Sequence, residues 1–297
     1  MSTAIATTIP QYLDQLRAAL AGADPALVQD ALYDAEEYLR SEWAEHPALE
    51  EAALLSGIAG SYGAPDEVAG IYRDTEVTVR KAMRTPPPAP RRTAVGRFFG
   101  VLADPHAYAS VLYMLLAMAT GTFYFTWVVT GLSLSLGLAI LIIGIPFAIL
   151  FLASVRGLAL VEGRLVETLL GERMPRRPPY SNRDRPVMQR IAAMFTDPRT
   201  WTALLYMLLM LPLGTAYFTA AVIALSLSLG VALIPVAGAY GESLFTWDGM
   251  SIVLPLWTTP LTIAVGLLML VLTMHGARGV GRLHAQLAKH LLVRAAD

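Results

Sequence analysis

The acidic side chains of one predicted helix have a spacing that could bind a metal ion. Asp30, Asp34 and Glu37 recur at i, i+4 and i+7, which places their carboxylates on one helical face. Calcium sites built from such carboxylates also need a glycine-containing loop, and none accompanies these three acids. Carboxylates opposite an apolar stripe are usually solvated. We therefore expect these side chains to be exposed to water and predict no metal site.

Catalytic motifs are missing from the sequence. The chain contains no cysteine, which excludes thiol nucleophiles, zinc–cysteine sites and disulfides. A nucleophile elbow, a His-Glu-x-x-His motif, a phosphate-binding loop and a dinucleotide-binding glycine motif are also absent. The histidines are scattered: His46, His106, His275, His284 and His290. The sequence therefore predicts no catalytic residue, no cofactor and no enzymatic activity.

The composition indicates that lipid is the solvent for part of the chain. Of its 297 residues, 55% are hydrophobic and 15% charged, whereas soluble domains carry about 25% charged residues. The net charge of −1 conceals a strong segregation. Residues 1–79 hold 14 acidic and 3 basic side chains, a net charge of −11, and the rest of the chain has a net charge of +10. An acidic module therefore precedes an apolar module with basic flanks.

The acidic module is predicted to be a cytoplasmic helical domain over residues 9–80. Apolar residues recur at helical spacing in four short segments. Asp24 and Pro25 suit the N-cap and first position of the second helix, while Pro47 and Pro65 suit the starts of the third and fourth. Four such helices can bury one small core.

Three segments of this module carry a family resemblance. Residues 12–16 (YLDQL), 35–39 (AEEYL) and 62–69 (YGAPDEVA) resemble the HAAS-type helical domain of bacterial membrane proteins. Those proteins often occur with PadR-type transcription regulators. The resemblance therefore implies an interaction module with a cytoplasmic protein partner such as a PadR-type regulator, and no direct binding of nucleic acid.

The apolar module begins after a Pro/Arg-rich linker at 81–97, in which residues 85–92 (TPPPAPRR) form a stiff stretch that no helix can traverse intact. Residues 107–155 contain no Asp, Glu, Lys, Arg or His, and 200–241 and 249–274 are similarly uncharged. Because a membrane-spanning helix needs about 20 apolar residues, the first stretch suits two spans. The uncharged stretches argue against an ion transporter, which places ionisable groups within the bilayer. His275 is expected to be interfacial rather than a proton relay.

The second half of this module repeats the first. Residues 113–116 (YMLL) recur at 206–209, and 132–137 (LSLSLG) at 225–230, both at an offset of 93. Farther on the offset becomes 122, which pairs Arg156 with Arg278. The predicted fold is all-α: a polytopic membrane protein with four transmembrane helices as two duplicated hairpins, plus the small cytoplasmic domain. Its membrane parts are a first repeat at 98–171, a basic linker at 172–190 and a second repeat at 191–293 with an outer loop at 236–256.

Helix packing leaves two questions open. Ser133 with Gly137 and Ser226 with Gly230 have small-xxx-small spacing, which favours close helix packing. The LSLSLG motif containing them could open a span or lie at the membrane interface. Each repeat also closes with an amphipathic segment, and these segments could lie on the inner leaflet or pair as helices below the membrane. Its apolar stripe is Leu158, Val161, Leu165 and Leu169 in the first repeat, and Val280, Leu283, Leu287 and Leu291 in the second.

The distribution of basic residues predicts the topology. Arginines flank the first span, fill the 172–190 linker and follow the last span, so the positive-inside rule places both termini in the cytoplasm of a bacterial cell, with a multi-pass inner-membrane location. The 236–256 loop then faces outward. Glu242, Trp247 and Asp248 are its candidate ligand contacts.

The membrane module also resembles a known family. Residues 130–137 (TGLSLSLG), 144–146 (GIP), 156–162 (RGLALVE) and 278–282 (RGVGR) resemble the four-helix sensor domain of actinobacterial histidine kinases and related membrane proteins. The resemblance implies an integral membrane sensor. Since no phosphoacceptor-histidine helix or ATP-binding domain follows, we expect its output to leave through the acidic domain and a protein partner. The alternative functions are a small-molecule or lipid transporter and a ligand-free scaffold. Membrane lipids are expected partners, and the sequence does not decide between a monomer and a homo-oligomer.

Overall fold

In a computed structural model, the structure describes residues 6–58, 62–83, 93–141, 143–177, 186–240, 246–248, 250–251 and 255–293. Within these residues the chain is almost entirely helical. The helices are α1 Ile9–Ala19, α2 Pro25–Glu45, α3 Glu51–Ile58, α4 Pro65–Met83, α5 Ala94–Phe99, α6 Pro105–Gly137, α7 Gly144–Leu170, α8 Val187–Thr196, α9 Pro198–Ala239 and α10 Thr259–Leu292. A two-residue antiparallel pairing joins β1 Thr246–Trp247 to β2 Met250–Ser251.

The N-terminal domain consists of α1–α4 around one apolar core. The predicted start of α2 is confirmed, since the Asp24 carboxylate accepts the Ala26 N–H at 2.9 Å and Pro25 is the first helical residue. The predicted start of α3 at Pro47 is wrong, because the chain turns there and the helix begins at Glu51. The Glu51 carboxylate instead accepts the Ile9 N–H at 2.5 Å, a tertiary contact at the start of α1.

Helices α6, α7, α9 and α10 form the bundle, and all four are long and apolar enough to cross a membrane. At 33 and 42 residues, α6 and α9 are about 50 and 63 Å long, so both exceed a hydrocarbon thickness of about 30 Å. The LSLSLG motif lies inside α6 and α9, where it extends the first helix of each hairpin rather than opening a span. The amphipathic segments are the continuous last turns of α7 and α10.

Helices α6 and α9 cross at a pair of glycines that are equivalent in the two repeats. A Cβ atom on Gly121 would lie 2.7 Å from the Met210 carbonyl carbon, and one on Gly214 would lie 2.6 Å from the Ala117 carbonyl carbon. Each glycine thus faces the backbone of the other helix, at positions that are again 93 residues apart. Only glycine allows this approach of the two backbones.

Polar contacts near one end of the bundle follow the same register. The Arg156 guanidinium of the first repeat pairs with Asp197 of the second at 3.0 Å, while Arg278 of the second pairs with Asp104 of the first at 2.7 Å. Asp104 and Asp197 also cap α6 and α9 by accepting backbone N–H groups. The two repeats are therefore related by an approximate two-fold axis between α6 and α9, and each exchanges an ion pair with the other.

Candidate functional site in the core of the bundle

A buried carboxylate lies where the four long helices meet. Glu162 of α7 is 0% exposed and accepts hydrogen bonds from three tyrosine hydroxyls. The Tyr113 hydroxyl donates to Oε1 at 2.7 Å, the Tyr206 hydroxyl donates to the same oxygen at 2.9 Å, and the Tyr124 hydroxyl donates to Oε2 at 3.0 Å. Hydrogen bonds of this kind compensate for part of the cost of burying a charged group.

A buried imidazole shares two of these tyrosines. His284 of α10 is 1% exposed, and its Nε2 lies 2.6 Å from the Tyr113 hydroxyl and 2.9 Å from the Tyr206 hydroxyl. On the other side of the ring, Nδ1 lies 3.4 Å from the Tyr217 hydroxyl. An acid and a base are thus bridged by two phenols. We call the six residues the polar core: Tyr113, Tyr124, Glu162, Tyr206, Tyr217 and His284.

The polar core has the approximate two-fold symmetry of the repeats. Tyr113 and Tyr206 are 93 residues apart, as are Tyr124 and Tyr217, while Glu162 and His284 differ by the second offset of 122. The four tyrosines are therefore identical between the copies, and only the central titratable group differs. The site therefore contains one acid and one base, each in contact with a tyrosine from both repeats.

Neither Glu162 nor His284 belongs to a catalytic motif in the sequence. Both residues lie within the predicted amphipathic segments, beside members of the apolar stripes. Val161 is 53% exposed and Leu283 68% exposed, whereas their neighbours Glu162 and His284 are buried. A bundle in lipid can expose apolar side chains and enclose polar ones. The sequence feature that points to these two residues is the repeat register, because the offset of 122 aligns Glu162 with His284.

The acidic residues of α2 form a second polar site, against the end of the bundle. Asp30 is 5% exposed, and its Oδ1 accepts the backbone N–H groups of Arg176 and Arg177 at 2.8 and 2.9 Å. Its Oδ2 accepts from the Arg173 guanidinium at 3.0 Å, and Arg173 also pairs with Glu76 of α4. The expectation that the acidic trio is solvated is therefore wrong for Asp30, which pairs with the basic segment that follows α7.

Further ion pairs extend this contact, which we call the docking interface. The Asp34 carboxylate accepts from Arg177 Nε at 2.9 Å, whereas Glu37 is exposed. Lys289 Nζ on α10 donates to Asp24 at 2.7 Å and to Glu172 at 2.6 Å. Within the described residues, no group of three or more His, Asp or Glu side chains is arranged to hold a metal ion.

Burial has the largest effect on the pKa of Asp30. Desolvation raises the pKa of Asp30 above its ordinary value, although the N–H donors of Arg176 and Arg177 and the charge of Arg173 act to lower it. These partners therefore offset only part of the cost of removing the carboxylate from water. An interface built from such buried pairs contributes a modest net free energy, which suits a contact that can open.

The predicted outer-loop contacts are only partly covered by the structure. Glu242 lies outside the described residues, and Trp247 is the second residue of β1. Asp248 is exposed and adopts a positive φ of 50° in the turn between β1 and β2. A ligand-binding role for these three residues stays a prediction.

The predicted packing residues do not lie at close helix contacts within the chain. Ser133 and Ser226 are exposed, and a Cβ atom added to Gly137 or Gly230 would meet no atom within 4 Å. Close contacts between helices are made by other small residues, among them Gly121 and Gly214 at the crossing of α6 and α9. A packing role for the four predicted residues would require another molecule, such as a second copy of the chain, and stays a prediction.

Comparison with known proteins identifies the bundle. The model of the family described as "Putative sensor" matches residues 113–292, which include the whole polar core. No curated protein and no solved structure matches the chain. The match covers more than half of the chain and agrees with four apolar helices of membrane-spanning length. The chain therefore belongs to this sensor family.

Proposed function

We propose that this chain is a multi-pass sensor of the bacterial inner membrane, with both termini in the cytoplasm, that signals to a cytoplasmic protein through its N-terminal domain and needs no catalytic step of its own. The docking interface is the observation that carries this proposal. It connects the acidic domain to the chain segment that directly follows α7, and α7 supplies Glu162 to the polar core. The concentration of arginines at this end of the bundle supports its placement in the cytoplasm.

The geometry supports a simple route for the signal. Arg173 lies 11 residues after Glu162 along the chain, and Lys289 lies five residues after His284 on α10. A change in the packing of α7 or α10 would therefore move Arg173 or Lys289 relative to Asp30 and Asp24. Opening of the interface would expose acidic side chains of α2, which suit a partner with a basic surface, such as a PadR-type transcription regulator.

Docking can be measured directly through the two amides that Asp30 binds. Asp30→Ala in the full chain should accelerate hydrogen exchange at the Arg176 and Arg177 amides and should change transcription controlled by the regulator. Glu37→Ala is the matched control, because it removes an exposed acid from the same helix. The control should alter neither readout.

Two results would contradict this output route. In one, Asp30→Ala accelerates hydrogen exchange at the Arg176 and Arg177 amides, but cross-linking of the chain to the regulator and transcription are both unchanged. The other is a deletion of residues 1–80 that leaves transcription unchanged while the bundle still folds. Either result would show that the N-terminal domain does not carry the signal.

A transporter is the second candidate, and the polar core gives it specific support. Ionisable groups inside a membrane bundle are common in transporters, and the helices enclose Glu162 and His284 although the uncharged stretches of sequence contain neither. Substrate-dependent flux into proteoliposomes, abolished by Glu162→Gln, would favour transport of a small molecule or lipid. Proteoliposomes without flux, together with a regulated change in docking, would favour sensing.

A further inference from the structure

The polar core is filled by its own side chains. Both oxygens of Glu162 and both nitrogens of His284 lie within 2.6 to 3.4 Å of a tyrosine hydroxyl. Direct contacts of this length leave no space for a molecule between the acid and the base. The ligand that this arrangement can take without rebuilding the helices is a proton.

Hydrogen-bond accounting assigns the resting protonation state. Each phenol has a single hydrogen, and the hydroxyls of Tyr113, Tyr206 and Tyr124 donate theirs to Glu162, which is therefore an ionised acceptor. The oxygens of Tyr113 and Tyr206 then accept from the Nε2–H of His284. The imidazole is neutral in this assignment, and its Nδ1 accepts the Tyr217 hydroxyl hydrogen. The polar core carries a net charge of −1.

A single added proton has two acceptors in the polar core. On Nδ1 of His284 it forms a new N–H bond, and the Tyr217 hydroxyl rotates from donor to acceptor. On Glu162 it forms a new O–H bond, and one of the three donating phenols loses an acceptor site. Both states have zero net charge. Both also change the hydrogen bonds that join α7 and α10 to the tyrosines of α6 and α9.

We propose that Glu162 and His284 form a proton-binding site, and that its occupancy sets how the two repeats pack. If the chain is the sensor proposed above, the proton is its stimulus. The titratable groups that face the site come from all four helices packed around it: Tyr113 and Tyr124 on α6, Glu162 on α7, Tyr206 and Tyr217 on α9, and His284 on α10. Both bridging phenols touch the acid of one repeat and the base of the other, so protonation acts across the boundary between the repeats.

Infrared difference spectroscopy of the full chain in phosphatidylcholine nanodiscs tests the site. The difference between the wild-type spectra and those of Glu162→Gln and His284→Asn, in which groups outside the polar core cancel, should show one reversible protonation between about pH 4 and 9 in carboxyl and imidazole bands. Glu162→Gln should remove the carboxyl band of this protonation, and His284→Asn should remove its imidazole band. His275→Asn is the matched control, since His275 contacts the Phe98 carbonyl outside the polar core, and it should leave the transition intact. An unchanged transition in both polar-core variants would overturn the proposal.

The two-fold symmetry provides a rescue experiment. Glu162→His places two bases against the bridging phenols, and His284→Glu places two acids there, so each single variant should lose the wild-type transition. The double swap restores one acid and one base and should restore the transition. A folded double variant without it would overturn the bridged acid–base pair. Should the single variants fail to fold, Tyr124→Phe removes only one donor to Glu162 and should tighten proton binding about tenfold or more. An unchanged midpoint in that variant would overturn the proposal.

The same measurements separate this inference from the proposed function. Protonation could depend on Glu162 and His284 while deletion of residues 1–80 leaves transcription unchanged. That result would support the proton site and reject the output route. Regulated transcription that depends on the N-terminal domain, without protonation of the polar core, would retain the output route and reject the proton site.

Discussion

The glycine crossing of α6 and α9 predicts a specific loss of stability when one methyl group is added. In Gly214→Ala, the new Cβ atom would lie 2.6 Å from the Ala117 carbonyl carbon, whereas carbon atoms in contact are about 3.5–4.0 Å apart. The two helices must therefore separate by about 1 Å. Overpacking of this kind costs about 1–3 kcal/mol. The Gly121→Ala variant should behave alike, because its Cβ atom would lie 2.7 Å from the Met210 carbonyl carbon.

A matched control lies on the same helix. Gly230→Ala places a methyl group where no atom lies within 4 Å, so it gains the helix propensity of alanine, up to about 1 kcal/mol, without the overlap. Reversible unfolding of the full chain in mixed micelles should show Gly214→Ala to be less stable than Gly230→Ala by about 1–3 kcal/mol. Equal unfolding midpoints for these two variants would refute the close backbone approach and the symmetry derived from it.

The docking interface supplies two further predictions. Asp24→Ala removes the cap of α2 and the partner of Lys289 together, so the N-terminal domain should lose about 1 kcal/mol or more in thermal unfolding, while Asp14→Ala, an exposed acid on α1, should change little. A second prediction concerns pH. Because burial raises the pKa of Asp30 in the docked state, the part of its contribution to docking that depends on protonation is present below the ordinary pKa and is lost as the pH rises through the docked pKa. As the pH rises through the docked pKa of Asp30, hydrogen exchange at the Arg176 amide, corrected for its intrinsic rate, should therefore accelerate. Protection of this amide that does not change with pH would contradict the predicted direction.

Local signals in the sequence were sufficient where a helix end depends on its own residues. Asp24 with Pro25 predicted the start of α2 because a cap needs only the side chain and the first turn. Pro47 failed for α3 since the helix begins where Glu51 reaches the Ile9 amide, a contact between segments far apart in the chain. The docking interface was missed for the same reason. The pairing of Asp30 with Arg173 joins residues 143 positions apart, which helical periodicity alone does not report.

The buried faces of α7 and α10 could not be read from hydrophobicity alone. In water an apolar stripe faces the protein core, but a bundle in lipid has no such constraint, and its interior can hold polar groups that satisfy one another. Val161 is accordingly exposed beside a buried Glu162. The repeat register is the better guide here, since a polar residue at equivalent positions of both copies is hard to explain as a solvated surface when its neighbours are apolar.

The position of the polar core makes it sensitive to movement between the repeats. Four of its contacts lie within a repeat, from Tyr113 and Tyr124 to Glu162 and from Tyr206 and Tyr217 to His284. Two lie between repeats, Tyr206 to Glu162 and Tyr113 to His284. A small sliding of the repeats would stretch the two contacts between repeats while the four within a repeat are retained. The glycine crossing holds the backbones of α6 and α9 in contact. Helices α7 and α10 carry the polar core's acid and base and, at or just beyond their ends, the cations of the docking interface. This is the physical continuity that coupling between a buried site and a distant surface requires.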